Sequence, residues 1–311
     1  MAEYLTNRYK FYNNFAPAFL LFQLAILPKI YYLRSVCSMF GHDRETVRPT
    51  HEKPLTPDNA ISDRFRQLTH QTTTNNSIAM KKLIVSTGAG ISAESGLSTF
   101  RDAGGLWDKY PVMDVASHDG FVRNPALVHE FYNTRRKELL KCKPNAAHIG
   151  LKKLEDYFDV RIITQNVDDL HERAGSTHVL HLHGELMKVR SMRHEDRVYT
   201  LTPDNLETTP ETRDKYGDPV RPHIVFFQEA VPNIEPAIEL VRQADIFVVI
   251  GTSLNVYPAA GLLYYVRPGV PIYYIDPHPA PIPDGAGKVT VIAKPATEGV
   301  AELTEILKSQ L

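Results

Sequence analysis

The 311-residue sequence is poor in several things, and each shortage excludes something. It has two cysteines, Cys37 and Cys142. Two thiols make neither a disulfide framework nor a four-cysteine zinc site, and a reducing, cytoplasmic compartment is the expectation. Excess charge of either sign is missing, with 35 basic against 36 acidic side chains, so no nucleic-acid partner is expected from bulk electrostatics. A long hydrophobic run is missing too. Phe15 to Leu27 is apolar but too short for a membrane span, and Pro17 and Gln23 interrupt it. Lys10 and Lys29 flank it and no small-residue cleavage site follows, which argues against a signal peptide. No firm membrane partner is expected, and there are no internal repeats. What is there, 43% hydrophobic and 23% charged residues, suits one large or two ordinary globular domains.

The chain divides near Met80. Residues 41–79 are polar and rich in Thr, Asn, Asp and Pro, as a linker or disordered segment would be. Residues 1–79 are read as an extension, either upstream sequence included by an early start or a membrane-proximal anchor. The folded domain is expected over 80–311. Short apolar runs predict strands at Leu83–Ser86, Val160–Thr164, His178–Leu182, Ile246–Gly251, Ile272–Asp276 and Val289–Ile292. Between them, Ala147, Leu151, Leu154 and Phe158 share one helical face, as do Val300, Leu303 and Leu307. This alternation predicts an α/β fold: a Rossmann-like doubly wound parallel sheet. A large lobe is expected over about 80–103, 146–187 and 222–311. The stretches 104–145 and 188–221 interrupt the alternation and are read as insertions forming a smaller lobe, with the active site in the cleft between.

Gly88-Ala89-Gly90-Ile91-Ser92-Ala93 follows the first strand and fits G-x-G-x-x-[G/A]. Such glycines let backbone approach a pyrophosphate, though a tight strand-to-helix turn needs them equally. The acidic residue that dehydrogenases place about 20 positions on is absent, which argues against hydride transfer. Gln165-Asn166-Val167-Asp168-Asp169 follows the second strand, where sheets of this kind bind ligands; its side chains suit ribose hydroxyls and a carboxamide, or a helix cap. In His181-Leu182-His183-Gly184 the two histidines share a face. They could pair on a metal, but no third ligand stands nearby; a general base is the alternative, and a hydrogen-bonded structural role the plainest.

Taken together these residues resemble the sirtuin family. The resemblance runs from Met80 to Leu311 through six motifs in order: Gly88–Ser92 with Ser95-Gly96-Leu97 and Phe100-Arg101-Asp102; Thr164–Asp168; His183-Gly184; Arg221–Phe227; Gly251–Leu254; and Val256-x-Pro258-Ala259. It implies NAD as cofactor, acyl-lysine proteins as substrates, and release of nicotinamide and O-acyl-ADP-ribose. It implies His183 as general base and Asn166 as the residue orienting ribose and water. Gly88, Ala89, Gly90, Ser92, Phe100, Arg101, Gln165, Asp168, Gly251, Thr252, Ser253 and Asp276 would contact NAD. Phe100 would shield the reactive ribose carbon, and Val225, Phe226 and Phe227 would receive the substrate backbone as an added strand.

Within the family, Tyr132 and Arg135 refine the expectation. Asn124-Pro125 predicts a helix start, and Tyr132 and Arg135 then share a face as a carboxylate receptor would. The pair resembles that of sirtuins removing succinyl and malonyl groups; a solvated basic face running on through Arg136 and Lys137 is the alternative. Three departures stand out. Met187 to Val220 holds no cysteine where the family carries its zinc, and Ser191 and His194 sit where the first pair is expected, so no metal is predicted. Gln228 stands where the family commonly has glycine. Asp276 stands where it usually has asparagine, a carboxylate that favours NAD over NADP. The rival reading is an NAD glycohydrolase or ADP-ribosyltransferase on the same fold; a non-catalytic NAD sensor fits poorly with His183 present. The sequence sets neither the protein substrates nor the oligomeric state.

Overall fold

The computed structural model describes residues 80–97, 109–282 and 285–311. The 1–79 extension and the motif residues Phe100, Arg101 and Asp102 lie outside the described residues.

Among the described residues the strands are β1 (Lys82–Thr87), β2 (Asp159–Thr164), β3 (Val179–His181), β4 (Gly184–Ser191), β5 (Val198–Thr200), β6 (Val220–Ile224), β7 (Ile246–Ile250), β8 (Ile272–Ile275) and β9 (Val289–Ile292). The helices are α1 (Gly90–Ala93), α2 (Val112–Val115), α3 (His118–Arg123), α4 (Pro125–Leu139), α5 (Ala146–Leu154), α6 (Leu170–Arg173), α7 (Ile234–Arg242) and α8 (Ala296–Lys308), with a 3₁₀ segment at Ala259–Tyr265.

Six strands form one parallel sheet in the order β3-β2-β1-β7-β8-β9. Counted among themselves they run 3-2-1-4-5-6, the doubly wound order whose direction reverses between β1 and β7. The central strands are apolar at nearly every position because helices cover both faces; β7 (IFVVI) is buried throughout. Alternation then sorts the side chains. Leu83, Val85, Ile162 and Val248 pack with α5 and α8, while Ile84, Ile163, Phe247 and Val249 pack with α7 and the 3₁₀ segment. Each fully buried Leu, Ile or Phe contributes roughly 1.5–3 kcal/mol to these cores. The predicted strands are all present, with ends shifted by a residue or so. α5 stops at Leu154, earlier than its apolar spacing suggested, and Phe158 is buried from the following turn, its N–H bonded to the Leu154 carbonyl at 2.9 Å.

The smaller lobe combines α2–α4 with an antiparallel sheet ordered β5-β4-β6. Its sheet spans Gly184 to Ile224, a little beyond the expected 188–221, so the lobe begins directly behind His183. α4 starts as its sequence predicts: the Asn124 side chain accepts the Leu127 N–H at 3.1 Å and Pro125 occupies the first turn. Val128, Phe131, Tyr132 and Leu139 then form a core with Phe121, Leu186, Ile224 and Phe226.

Arg136 corrects the basic-face alternative. It is fully buried, whereas Lys137 beside it is exposed. Its Nε donates to the Leu186 carbonyl at 2.9 Å, and its Nη1 to Asn133 Oδ1 at 2.8 Å and to the Leu206 carbonyl at 3.3 Å. The guanidinium thus ties α4 to β4 and to the chain after β5 without a carboxylate hydrogen-bonded to it, and burial pulls its pKa down to about 10. In the stretch without cysteine, Ser191 Oγ accepts the amides of Arg193 and His194 at 3.2 and 3.3 Å. Asp218 gathers Arg193 at 3.1 Å and Arg197 at 3.2 Å. Among the described residues no group of three or more His, Cys, Asp or Glu is arranged to hold a metal ion.

Candidate active site

The loops leaving β1 and β7 meet at the point where the strand order reverses. Gly90 N donates to the Gly251 carbonyl at 2.8 Å, and Gly88 N to the Ile250 carbonyl at 2.9 Å. A Cβ on Gly90 would stand 2.6 Å from Gly251 Cα, and Gly251 itself has φ +63°. Glycine is therefore required here by the contact between the two loops, a reason additional to any approach of a ligand. Ala89 lies between and accepts the Ser92 amide at 3.1 Å.

A buried polar chain grows from this junction. Ser92 Oγ donates to Asp168 Oδ2 at 3.0 Å and accepts from Asn166 Nδ2 at 3.1 Å. Asp168 Oδ1 accepts the Leu170 N–H at 3.2 Å, an Asx-type turn one residue ahead of Asp169, which occupies the N-cap of α6 without a side-chain cap bond. Burial pushes its carboxyl above the usual carboxylate range, against the pull of those hydrogen bonds. Gln165 reaches across to the β7 loop, its Nε2 donating to Thr252 Oγ1 at 3.3 Å. Ser253, partly buried, follows in that loop. Asp276 continues from β8, buried, its Oδ1 accepting the His278 amide at 2.8 Å.

His183 Nδ1 lies 3.0 Å from the Gln165 carbonyl oxygen. A carbonyl only accepts, so Nδ1 carries the proton and Nε2 presents a lone pair, the tautomer a general base needs. Burial lowers the ring's pKa, favouring that neutral form. His181 Nδ1 lies 2.9 Å from the carbonyl of Asn166, and its Nε2 lies 2.7 Å from Glu172 Oε1. The two histidines thus hold successive carbonyls of one loop, an arrangement unlike a metal pair.

Tyr132 is buried, its ring edge-on to Phe131 at 5.2 Å and tilted to Phe226 at 5.9 Å; burial drives its hydroxyl up to about 12. Arg135 is half-buried, and burial lowers its pKa while Tyr132, Asp168 and Glu138 work against the shift. The pair therefore lies within electrostatic reach of the Asp168 end of the polar chain. Phe226 belongs to the small-lobe core, with the Arg221 guanidinium 4.1 Å from its ring centroid. Val225 N donates to the His183 carbonyl at 3.0 Å, and Phe227 pairs with residues 116 and 118 at 2.8 and 3.0 Å. Gln228 adopts φ +77°, a conformation that glycine takes without strain, and its amide grips Asp119 twice, at 2.8 and 3.1 Å.

Sequence reasoning missed three buried residues beneath the site, Thr87, His148 and His171, which join Thr164 of the second motif there. Thr87 Oγ1 bonds Thr164 Oγ1 at 2.9 Å and His171 Nε2 at 3.1 Å; the His171 ring meets His148 edge-on at 4.9 Å, and His148 Nε2 lies 3.5 Å from Ser92 Oγ. One signal was available: Asn145 and His148, three apart, form the capping box of α5.

Fold and site together define a doubly wound α/β protein of the dinucleotide-binding class. The chain belongs to the Sir2 family, whose model matches residues 88–258. It is 56% identical over 231 residues to an NAD-dependent protein deacylase of Bacteroides thetaiotaomicron, covering 73% of this chain and 98% of that protein. A protein of the same description from Helicobacter pylori is 53% identical over 198 residues, covering 64% of this chain and 85% of that protein. Among solved structures, a Sir2 homologue bound to ADP-ribose matches with TM-score 0.67 and 35% identity over 74% of this chain and 93% of that one. A Sir2 homologue–NAD complex matches with TM-score 0.66 and 36% identity over 74% and 91%.

Proposed function

We infer that this chain is an NAD-dependent protein deacylase acting on acyl-lysine side chains, and we propose that its acyl range includes succinyl and malonyl groups beside acetyl. The observation that carries the reading is His183, with Nδ1 committed to the Gln165 carbonyl and Nε2 left as the basic atom. The residues suit a dinucleotide. Glycine loops meet at the switch point, and buried Asn166, Asp168 and Ser92 offer amide, carboxyl and hydroxyl groups beside them. Asp276 at the tip of β8 suits a ribose hydroxyl, which supports NAD over NADP.

When bound, NAD supplies the ribose carbon that takes the acyl oxygen and the nicotinamide that leaves. Asp168 would hold the carboxamide and Asn166 would orient ribose and water, with Ser92 fixing both through its hydroxyl. Gln165, Thr252 and Ser253 would contact ribose and phosphate. His183 Nε2 would take the proton from a ribose hydroxyl as the acyl group transfers. Arg135 and Tyr132 would receive the carboxylate of an acidic acyl group: a charged and a neutral donor at a dry site favour an anion over a methyl group. Val225, Phe226 and Phe227 would border the peptide. The low cysteine count supports a reducing, cytoplasmic setting. Among the described residues no helix is long and apolar enough to cross a membrane.

The test incubates the protein with NAD and matched acetyl-lysine and succinyl-lysine peptides, reading nicotinamide release and peptide mass. Loss of succinyl removal in Arg135→Met with acetyl removal spared is expected. Nicotinamide release without a change in peptide mass would overturn the deacylase reading.

A further inference from the structure

His181 is buried, and both its ring nitrogens face atoms that only accept: the Asn166 carbonyl at 2.9 Å and Glu172 Oε1 at 2.7 Å. A neutral imidazole has one N–H and would turn a lone pair on one of the two oxygens. The imidazolium satisfies both. Asn233 Nδ2 holds the backbone carbonyl of His181 at 2.7 Å, fixing the residue at the end of β3. On the far side, Asn166 Nδ2 donates to Ser92 Oγ, which donates to Asp168. Two hydrogen-bonded runs therefore meet at Asn166, one from Glu172 on the partly exposed α6 through His181 to its backbone carbonyl, the other from its side-chain amide through Ser92 to the carboxyl of Asp168.

We propose that His181, held as an imidazolium between Glu172 and the Asn166 carbonyl, is a positioning residue for deacylation, fixing the backbone of Asn166 so that its side-chain amide is aimed at the reacting ribose. The proposal rests on the deacylase reading. His183 holds the preceding carbonyl but as a neutral ring, so the two histidines set the same loop in opposite protonation states. The surrounding charges agree. Burial would lower the His181 pKa, but the hydrogen bond and charge of Glu172, with help from Glu185 on β4, raise it above the ordinary value. Glu172 is lowered: burial works against this, and His181 and Lys188 outweigh it. His171 on α6 is kept well below the ordinary histidine value by burial and by the neighbouring His148 and His181, and so adds no competing charge. Asp168, from the loop after β2, is the remaining carboxyl that feels the His181 charge. As pH rises through the raised His181 value the ring loses one of its two donors and with it one of its two anchors, Glu172 or the Asn166 carbonyl; the clamp on the Asn166 backbone loosens, and turnover falls while the fold persists.

The experiment measures kcat and KM of the full chain on an acetyl-lysine peptide with saturating NAD, from mildly acidic to alkaline pH. It is run on the wild type, Glu172→Gln, His181→Asn and His181→Leu, with Tm for each and histidine ¹⁵N NMR across the same range. The alkaline limb of kcat is expected to track the His181 titration, and Glu172→Gln is expected to move both to lower pH while leaving the acid limb in place. His181→Asn, which keeps a non-titrating donor towards the Asn166 carbonyl, is expected to lose the alkaline limb and retain most activity. His181→Leu is expected to lower kcat about tenfold, the equivalent of one hydrogen bond of about 1.4 kcal/mol, with little change in peptide KM. An alkaline limb that stays put when the His181 titration moves would overturn the proposal alone, as would activity losses that merely follow Tm. A wild type that removes no acyl group at any pH would overturn the deacylase reading and this proposal with it.

Discussion

His183 turns its Nδ1–H to the carbonyl oxygen of Gln165, 3.0 Å away, so that its neutral form carries the lone pair on Nε2. Burial lowers the ring's pKa, so the base stays neutral to a lower pH than an exposed histidine would. The acid limb of kcat/KM is therefore expected below the ordinary histidine range, and His183→Ala should cost on the order of 10²–10⁴-fold in deacylation. A pH–rate profile with the acid limb at or above the free-histidine value would count against this assignment.

Acid should also unfold the protein by a separate route. Burial depresses His129 and His148 to about 4 and holds His171 well below the ordinary histidine value. The native state then refuses protons that the unfolded chain accepts from about pH 6.5 downward, so stability present above that value is lost as pH falls towards 4. Each histidine contributes about 1.4 kcal/mol per pH unit within the window. Asp168, raised in the native state, works in the opposite direction at the acid end. Urea midpoints should drop between neutral pH and about pH 5, and His148→Gln should flatten that slope.

Arg136 should prove one of the most sensitive positions outside the nucleotide site. Arg136→Met leaves the carbonyls of Leu186 and Leu206 without their donor in a dry core. A loss of about 2–4 kcal/mol is expected. Dialysis against EDTA should leave Tm unchanged; a Tm that falls with chelation would show that a metal shares the load.

At Gln228 two effects oppose each other. The φ of +77° costs the side chain about 1 kcal/mol, while its amide gains two hydrogen bonds to Asp119. Gln228→Gly should fall within about 1 kcal/mol of the parent, and Gln228→Val, which keeps the strain and loses the clasp, should cost about 2 kcal/mol. Asp119→Ala measured beside them separates the two contributions.

The parallel sheet was legible because buried central strands must be continuous apolar runs, and Leu83–Ser86 and Ile246–Gly251 are such runs leading into a glycine loop. Their ends were less clear because Lys82 and Asp159 join the ladder with partly solvated side chains. The antiparallel sheet of the small lobe was not legible: β5 (VYT) is mostly exposed and carries no run long enough to read. Arg136 was misread from its basic neighbours, although Val128, Tyr132, Arg136 and Leu139 fall on one helical stripe, which places it inward. His181 could not be assigned from sequence because its role depends on Glu172 and Asn166, which meet only across α6 and the loop after β2.

The small lobe is held by a buried guanidinium and by carboxylates such as Asp218 that collect arginines, in a stretch of chain without thiols. Of these ties the two kinds answer differently to salt. The Arg136 bonds are shut away from solvent, while Arg193 reaches Asp218 from an exposed position. Raising ionic strength therefore loosens the rim of the lobe before its centre.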